Sequence, residues 1–280
     1  MSIIAHIERD REFVFDDDQF RFLASLANSK TGIMLPDYKK DMVYGRLVRR
    51  LRALKLGSFS EYCELLQSGQ GEDEIAQMIN AITTNLTSFF REAHHFRHLE
   101  EVVLAPLKSL PERRLRIWSA GCSSGMEPYT IAMVLRAAIS DLDRRDTRIL
   151  ATDIDSNTLN TGMRGEYDLS DFEKVEDKYK KYVVPAEKPG RILVGDELKK
   201  LISFKRLNLL ENWPMRGPFD AIFCRNVVIY FDAPTKKTLF SRMADLLKPQ
   251  GWLYIGHSEN LHGISDRFES TGRTIYRRVK

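Results

Sequence analysis

The chain has few cysteines, and their placement argues against any role that needs a pair. Cys63, Cys122 and Cys224 are odd in number, far apart and free of any Cys-x-x-Cys spacing. A disulfide framework and a thiolate zinc site are therefore not expected, and a reducing cytoplasm is the expected location. The opening stretch MSIIAHIERDREF has no apolar run of signal-peptide length, and no run approaches the roughly 18 apolar residues of a membrane span.

Charge and composition single out no special class of protein. The net charge of +4 is too small to indicate a nucleic-acid partner by itself. With 43% hydrophobic and 29% charged residues among 280, the composition is ordinary for a globular protein. We expect a sizeable core, in one large domain or two modest ones, and no direct insertion into a membrane.

Several motifs that would fix a cofactor or a metal are also missing. There is no Gly-x-Gly-x-x-Gly followed by an acid about 20 residues later, and no Gly-x-x-x-x-Gly-Lys-Ser/Thr phosphate loop. His94, His95 and His98 form a cluster, but zinc would need further ligands, and neither His-Glu-x-x-His nor nearby cysteines are present. We therefore expect no metal site.

About the first 100 residues are predicted to be helical. After Pro36, an apolar stripe at helical spacing over residues 43–54 predicts a helix that runs to Gly57. Two interpretations of the basic residues beside that stripe stay open, a solvated face and a docking surface for an acidic partner. These residues are Lys39, Arg46, Arg49 and Arg50.

From about Leu115, short apolar strands alternate with helices. LRIWSAG, TRILATDID, LISFKRLNL, FDAIFCRNV and GWLYIGH are predicted strands, and EPYTIAMVLRAAI and PTKKTLFSRMADLLKPQG are predicted helices. This α/β alternation predicts a parallel sheet covered on both faces. The final FESTGRTIYRRV is predicted to form two short strands that add an antiparallel edge.

One segment fits neither pattern. In YKKYVVPAEKPGRILVGDELKKLISFKRL, short β-rich runs at residues 182–184 and 191–194 are split by Pro185 and Pro189-Gly190. A small antiparallel excursion inside the α/β domain is predicted. It is either a surface hairpin without a role or an edge strand that captures a peptide by extending the sheet.

Glycines, acids and amides follow the predicted strands, and ligands of open α/β sheets bind beyond the carboxyl ends of the strands. These clusters predict a site for a nucleoside-bearing cofactor. Because phosphate motifs are missing and acids lie beside the turn, S-adenosylmethionine fits, with its ribose, sulfonium and amine. The candidates are Gly121, Gly125, Glu127, Asp153, Asp155, Asn208, Arg225, Asn226 and Tyr230.

Six motifs, in this order and spacing, resemble those of the CheR family, the chemotaxis receptor glutamate O-methyltransferases. They are TTNLTSFFRE, WSAGCSSGMEPYTIA, ATDID, RLNLL, FDAIFCRNVVIYFD and GWLYIGHSE, and the resemblance covers nearly the whole chain. It implies an all-α N-terminal domain at 1–82 and a linker at 83–100 that contributes to the cofactor site. It further implies a class I, Rossmann-like methyltransferase domain at 101–280, with a small antiparallel β-subdomain inserted at about 167–203.

The same resemblance implies roles for residues at matching positions. Arg91 and Tyr230 match the residues expected beside the transferred methyl group. Asp153 is expected to hold the ribose, and the segment of Asn208 and Leu209 to lie by the adenine. Further cofactor contacts are implied for Asn85, Thr87, Arg91, Glu127, Arg225 and Asn226, to which the turn glycine Gly121 is added.

The implied reaction methylates glutamate side chains on the cytoplasmic helices of chemoreceptors, for sensory adaptation, and leaves S-adenosylhomocysteine. An exposed glutamate has a pKa near ~4.3, so it is ionised at neutral pH and no general base is needed. Two alternatives stay open. One is a nucleic-acid or other protein methyltransferase, which RNVVIYF disfavours because amino-methylating DNA enzymes carry Asn/Asp-Pro-Pro-aromatic there. The other is a non-catalytic receptor-binding module.

The β-subdomain differs from that of some family members in its turn, which bears on how a receptor is bound. In some members the β-subdomain binds a C-terminal receptor pentapeptide, and a glycine-containing loop marks those members. Here the corresponding turn, VVPAEKPGRILV, is short and contains only Gly190. We therefore expect this protein to act on receptors without that tail.

Overall fold

The computed structural model describes residues 11–69, 71–108 and 114–280. By its internal contacts the chain divides into two compact units, with the boundary between Thr84 and Asn85. Among the described helices, none combines the length and apolar character that crossing a membrane requires.

The described part of the first unit is built from α-helices. Asp16 caps the first of them, accepting from the Gln19 backbone N–H at 2.8 Å while the Gln19 side chain accepts from the Asp16 N–H at 3.0 Å. Gly32, with φ +72°, ends that helix in the left-handed conformation. The helices are α1 (Asp17–Thr31), α2 (Lys40–Leu54), α3 (Phe59–Gln67) and α4 (Glu72–Ile82).

Helix α2 carries the predicted apolar stripe, with two differences from the sequence prediction. Val43, Leu47 and Leu51 are fully buried, whereas Leu54 is 36% exposed and lies at the edge of the stripe. The helix ends at Leu54 because Lys55, not Gly57, adopts the left-handed conformation, with φ +58°.

The basic residues of α2 divide into two groups. The Arg46 guanidinium donates to the carbonyl oxygens of Ile82 and Thr83, both at 2.6 Å. The Arg50 guanidinium pairs with the buried Glu74, which also accepts from the Tyr62 hydroxyl at 2.8 Å. Arg46 and Arg50 are therefore held inside this unit, contrary to the simple picture of four cations on one open surface. Arg49 is exposed and Lys39 is half-buried.

A seven-stranded sheet organises the second unit, in the order β6-β2-β1-β7-β8-β10-β9. The first five of these run parallel, and the last two add the predicted antiparallel edge. The strands are β1 (Arg114–Ala120), β2 (Asp146–Asp153), β6 (Ile202–Arg206), β7 (Phe219–Cys224), β8 (Leu247–Ile255), β9 (Phe268–Gly272) and β10 (Ile275–Arg278).

A separate three-stranded antiparallel sheet, ordered β3-β5-β4, follows helix α7 (Ser156–Arg164) along the chain. Its strands are β3 (Glu166–Asp168), β4 (Val183–Pro185) and β5 (Arg191–Val194). Tyr167, Ile192 and Val194 are buried on one face, while Val184 on the edge strand β4 is 51% exposed. The predicted antiparallel excursion is confirmed.

Helices flank the main sheet and enclose an aromatic core. Tyr254 on β8 stacks on Phe223 of β7 at 4.2 Å between ring centroids, and both are fully buried. Burying an aromatic side chain of this size stabilises the fold by about 1.5–3 kcal/mol. The helices are α5 (His94–His98), α6 (Met126–Ala138), α7 (Ser156–Arg164), α8 (Asp177–Lys180), α9 (Asp196–Lys199) and α10 (Ala233–Leu246).

Candidate active site

The turn after β1 brings backbone N–H groups to the carboxyl end of the sheet. The N–H groups of Gly121 and Cys122 both donate to the Thr152 carbonyl, at 2.8 and 2.9 Å. Gly121 has φ +78°, and a Cβ there would lie 2.3 Å from the Val227 side chain. Glycine is thus required by close packing against the protein itself, in addition to the predicted approach of a ligand.

Two buried aspartates organise the end of β2. Asp153 accepts backbone N–H groups on both carboxylate oxygens, from Ser123 at 2.7 Å and from Asp155 at 3.0 Å. Asp155 accepts from the Asn85 side chain at 2.7 Å, and the Ser123 hydroxyl donates to the Asn85 carbonyl at 3.0 Å. Asn85 is therefore fixed at the strand ends. Burial raises the pKa of Asp153, and the two N–H groups act in the opposite direction.

Glu127, in the first turn of α6, links two strands of the sheet. Its Oε1 accepts from the hydroxyl of Ser119 on β1 at 2.7 Å. Its Oε2 accepts from the guanidinium of Arg225, directly after β7, at 2.9 Å. The Arg225 side chain is only 2% exposed, so this ion pair lies in the interior.

The Arg91 segment, residues 89–92, passes over these groups in an unusual conformation. Phe90 and Glu92 have φ values of +54° and +55°, which are costly for residues other than glycine. Arg225 donates to the Arg91 carbonyl, and the Arg91 side chain donates to the Leu86 carbonyl at 2.9 Å. Phe89 is 7% exposed and packs edge-on against the rings of Tyr167 and Phe172, so it is a packing residue.

The Glu92 carboxylate stands among several nitrogens. It lies 3.4 Å from the Arg225 guanidinium. Its Oε1 accepts from the His257 backbone N–H at 3.2 Å and lies 3.1 Å from Nδ1 of the His257 ring. Its Oε2 is 3.5 Å from Nδ1 of the fully buried His95. Burial lowers the pKa of His95 to about 3, and the charges of Arg225 and His94 add to that effect.

The histidine cluster divides between two surroundings. The Nε2 atoms of His94 and His95 both lie near the Arg273 carbonyl, at 3.0 and 3.2 Å, whereas His98 bonds the Tyr254 hydroxyl at 2.9 Å. Candidate ligand atoms of Glu92, His94 and His95 lie within 4.8 Å of one another. The guanidinium already beside Glu92 opposes a second cation there, so we keep the prediction of no metal site.

The segment predicted to lie by the adenine is built on an Asx turn. The Asn208 side chain accepts from the Leu210 N–H at 3.0 Å and donates to Glu211 at 3.1 Å. Leu209 is buried, and its carbonyl accepts from the Arg242 guanidinium at 2.9 Å. Arg242 also bonds the Glu211 carbonyl, at 2.5 Å, so helix α10 holds this segment.

The loop after β7 carries Asn226 and Tyr230. Asn226 has φ +60°, and Val228–Tyr230 forms a turn of 3₁₀ helix. The buried Glu259 accepts backbone N–H groups from this loop, including that of Asn226 at 3.0 Å.

The sequence-predicted residues of the second unit thus belong to one edge of one sheet. Asn85 and Asp153 are linked there through Asp155, and Glu127 pairs with Arg225. Thr87 is half-buried in the segment between Asn85 and Arg91. Sequence reasoning did not single out Glu92, Arg242, His257 or Glu259, although Glu92 and Glu259 each close one of the quoted motifs.

Comparison with known families covers almost the whole chain. The family model described as "CheR methyltransferase, SAM binding domain" matches residues 85–277, and "CheR methyltransferase, all-alpha domain" matches residues 18–83. The fold and site are therefore those of a methyltransferase that uses S-adenosylmethionine, with an all-α domain preceding a Rossmann-like one.

Curated relatives give the family itself. The chain is 42% identical to chemotaxis protein methyltransferase 2 of Pseudomonas aeruginosa, over 95% of each chain. It is 41% identical to the chemotaxis protein methyltransferase of Salmonella typhimurium, over 96% of this chain and 93% of that one. A solved structure, the N-methyltransferase NodS from Bradyrhizobium japonicum, shows 12% identity and a TM-score of 0.40, over 68% of this chain and 97% of that one. The protein belongs to the CheR family of chemotaxis methyltransferases.

The buried, neutral His95 predicts a particular dependence of stability on pH. Its folded pKa of about 3 lies below the unfolded value near 6.5, so the unfolded chain alone takes up a proton as the pH falls below about 6.5. At pH 5, His95 should therefore cost about 2 kcal/mol of unfolding free energy relative to pH 7.5. We expect His95→Gln to lose about that much of the wild-type pH dependence in urea unfolding.

The exposed His262 provides the control, since His262→Gln should keep the wild-type pH dependence. If His95→Gln folds poorly, the ring proton shifts of His95 in the wild type serve instead. A ring that titrates near pH 6.5 in the folded protein would contradict the burial argument.

Proposed function

We propose that this protein transfers methyl groups to glutamate side chains on the cytoplasmic helices of chemoreceptors, giving methyl esters for sensory adaptation. The names of its relatives, chemotaxis protein methyltransferases, support this substrate class. The observation that carries the proposal is the position of the Arg91 segment. The buried Arg225 guanidinium holds its backbone at the strand ends, and the Arg91 guanidinium lies close by, bonded to the Leu86 carbonyl. A cytoplasmic location is part of the proposal.

The donor set at the strand ends suits S-adenosylmethionine. The cofactor carries a ribose, an amine and a sulfonium, and when bound it supplies a methyl group on positively charged sulfur. A carboxylate has about four lone-pair sites, so Asp153 can accept from ribose hydroxyls as well as from backbone N–H groups. We propose that Asn208 and Leu209 lie by the adenine. The other proposed contacts are Asn85, Thr87, Arg91, Gly121, Glu127, Arg225 and Asn226.

The reaction makes little demand for a general base. A receptor glutamate with a pKa near ~4.3 is ionised at neutral pH and is already nucleophilic. Glu92 and Glu127 are both paired with Arg225, so neither carboxylate is placed to take a proton. We propose that the residues at the strand ends orient the glutamate and the cofactor and exclude water. Excluding water strengthens the electrostatic interactions inside the site.

Arg91 is the proposed orienting group for a carboxylate, either that of the receptor glutamate or that of the cofactor. Its half-buried guanidinium is held only by the Leu86 carbonyl among the contacts described above, so donors remain for a ligand. Orientation suits this reaction better than a tight hold, because strong pairing would make the attacking oxygen a poorer nucleophile. Tyr230 is proposed to stand beside the transferred methyl group.

In a docking role the exposed Arg49 is the proposed contact, and Lys39, just before α2, adds to the positive field of the same helix. Arg46 and Arg50 have internal partners, and they contribute to the positive field of α2 without being free to bind. We propose that this face meets the acidic methylation helices of the receptor, since clustered charge steers association.

The first prediction from the proposed function concerns Arg91. With labelled S-adenosylmethionine and receptor-containing membranes, wild type should release base-labile volatile methanol. Arg91→Ala should lower that rate by roughly 100-fold, as expected for loss of an orienting contact. Arg97→Ala, at an exposed arginine on α5, should retain the wild-type rate. Stable, non-volatile label would instead favour a nucleic-acid or other protein substrate, and no cofactor binding would favour a non-catalytic module.

The second prediction concerns docking. The double variant Lys39→Glu and Arg49→Glu should raise KM for receptor about tenfold at low salt, with kcat little changed, because like charges then face the receptor. The double variant Arg21→Glu and Lys30→Glu, on α1 of the same unit, makes the same charge change and should alter KM less. Equal KM values for wild type and the double variant would remove these residues from the docking surface.

The third prediction concerns the receptor tail. The β4–β5 turn is short, with Gly190 at φ +75° as its one glycine, so we expect no requirement for a C-terminal pentapeptide. Methylation of a native receptor should continue at a similar rate after deletion of its tail. Abolished methylation of the shortened receptor, with the intact receptor as control, would refute this expectation.

A further inference from the structure

Glu259 is a buried carboxylate that binds backbone groups from two different strand ends. It is 6% exposed. Its Oε2 accepts from the N–H of Gly256 at 2.5 Å and from that of Asn226 at 3.0 Å, while Oε1 accepts from the N–H of Ile229 at 3.2 Å. One side chain therefore connects the turn after β8 to the loop after β7.

The turn after β8 and the loop after β7 lie in close contact at Gly256 and Asn226. A Cβ at position 256 would lie 2.8 Å from the Asn226 backbone nitrogen and 2.4 Å from its side chain, so only glycine fits. Asn226 itself has a left-handed conformation that has to be held by its surroundings. The carboxylate satisfies N–H groups that this close approach would otherwise bury without partners.

The same turn also receives the Arg91 segment. Glu92 accepts from the N–H of His257, one residue after Gly256, and lies beside the His257 ring. Two carboxylates thus attach the proposed catalytic segments to one short piece of chain, Glu92 for the segment of Arg91 and Glu259 for the loop of Tyr230.

We propose that Glu259 is a positioning residue for methyl transfer, which fixes the loop of residues 226–230 and thereby places Asn226 and Tyr230. The inference rests on the proposed roles of those two residues at the cofactor. Glu259 acts through backbone geometry, since its oxygens are occupied by N–H groups and it takes no part in proton transfer. Loss of the carboxylate frees the loop without removing any group that contacts a reactant.

Two variants grade the effect. Glu259→Ala leaves at least three N–H groups without this acceptor, that of Gly256 buried and those of Asn226 and Ile229 partly buried. Glu259→Gln keeps one oxygen but turns an amide N–H₂ toward one of them. We expect kcat to fall by roughly 100-fold in the alanine variant and less in the glutamine variant, because small misplacement of reacting groups is costly. The exposed Glu269 on β9 supplies the matched controls, Glu269→Ala and Glu269→Gln, which should keep the wild-type kcat.

Hydrogen exchange separates positioning from general loss of structure. In Glu259→Ala, amide protection should fall for the peptide that spans residues 225–231 and stay unchanged in β1 and β2. Unchanged protection in that peptide, or lost protection with a wild-type kcat, would overturn the proposal. Protection lost throughout the second unit would also overturn it, since Glu259 would then be a general stabilising residue.

A double-mutant cycle with Tyr230→Phe tests the link to the proposed catalytic group. If Glu259 acts through the loop, the decrease in kcat of the double variant should be smaller than the product of the two single decreases. If Tyr230→Phe alone lowers kcat, fully multiplicative effects in the double variant would overturn the positioning role. An inert Tyr230→Phe alongside a slow, locally unprotected Glu259→Ala would instead remove Tyr230 from the proposed function and leave the positioning of the loop intact through Asn226.

Discussion

The site depends on a single buried cation, the guanidinium of Arg225. A charged group with 2% of its side chain exposed is tolerated only where other groups replace the lost water. Glu127, Glu92 and the Arg91 carbonyl do so here, and they come from α6 and from the segment before α5. Removing one partner of such a pair typically costs about 3–5 kcal/mol, because the remaining charge stays buried. The segment of Arg91 and Glu92 is therefore anchored to the end of β7 through this guanidinium.

Backbone strain surrounds the same place. Phe90, Glu92 and Asn226 all have positive φ, and each such conformation costs about 1–3 kcal/mol unless it is stabilised elsewhere. Arg225 stabilises the first pair and Glu259 the third. The groups proposed to act in methyl transfer are thus held before a substrate arrives, which reduces the entropy lost when the reactants are brought together.

The sequence predicted the architecture well because hydrophobic period and strand-end chemistry are local signals. The strand–helix alternation, the antiparallel edge and the inserted hairpin are all confirmed, since each is encoded within about ten residues. What it could not predict are pairings across long separations. Arg225 reaches Arg91 over 134 positions, and Glu92 reaches His257 over 165. The same limit explains Arg46 and Arg50, whose helical arc was visible while their partners near Ile82 and at Glu74 were not.

The carbonyl of Arg273, at the turn between β9 and β10, has a consequence for how the molecule is made. It contacts the Nε2 atoms of His94 and His95, directly after the Arg91 segment, across 179 and 178 positions of sequence. A nascent chain emerging from a ribosome lacks this contact until the ribosome has added all of those later residues. The first unit, which ends at Thr84, is fully synthesised much earlier. Assembly of the site must therefore be completed late in synthesis, long after the helices of the first unit have been able to fold.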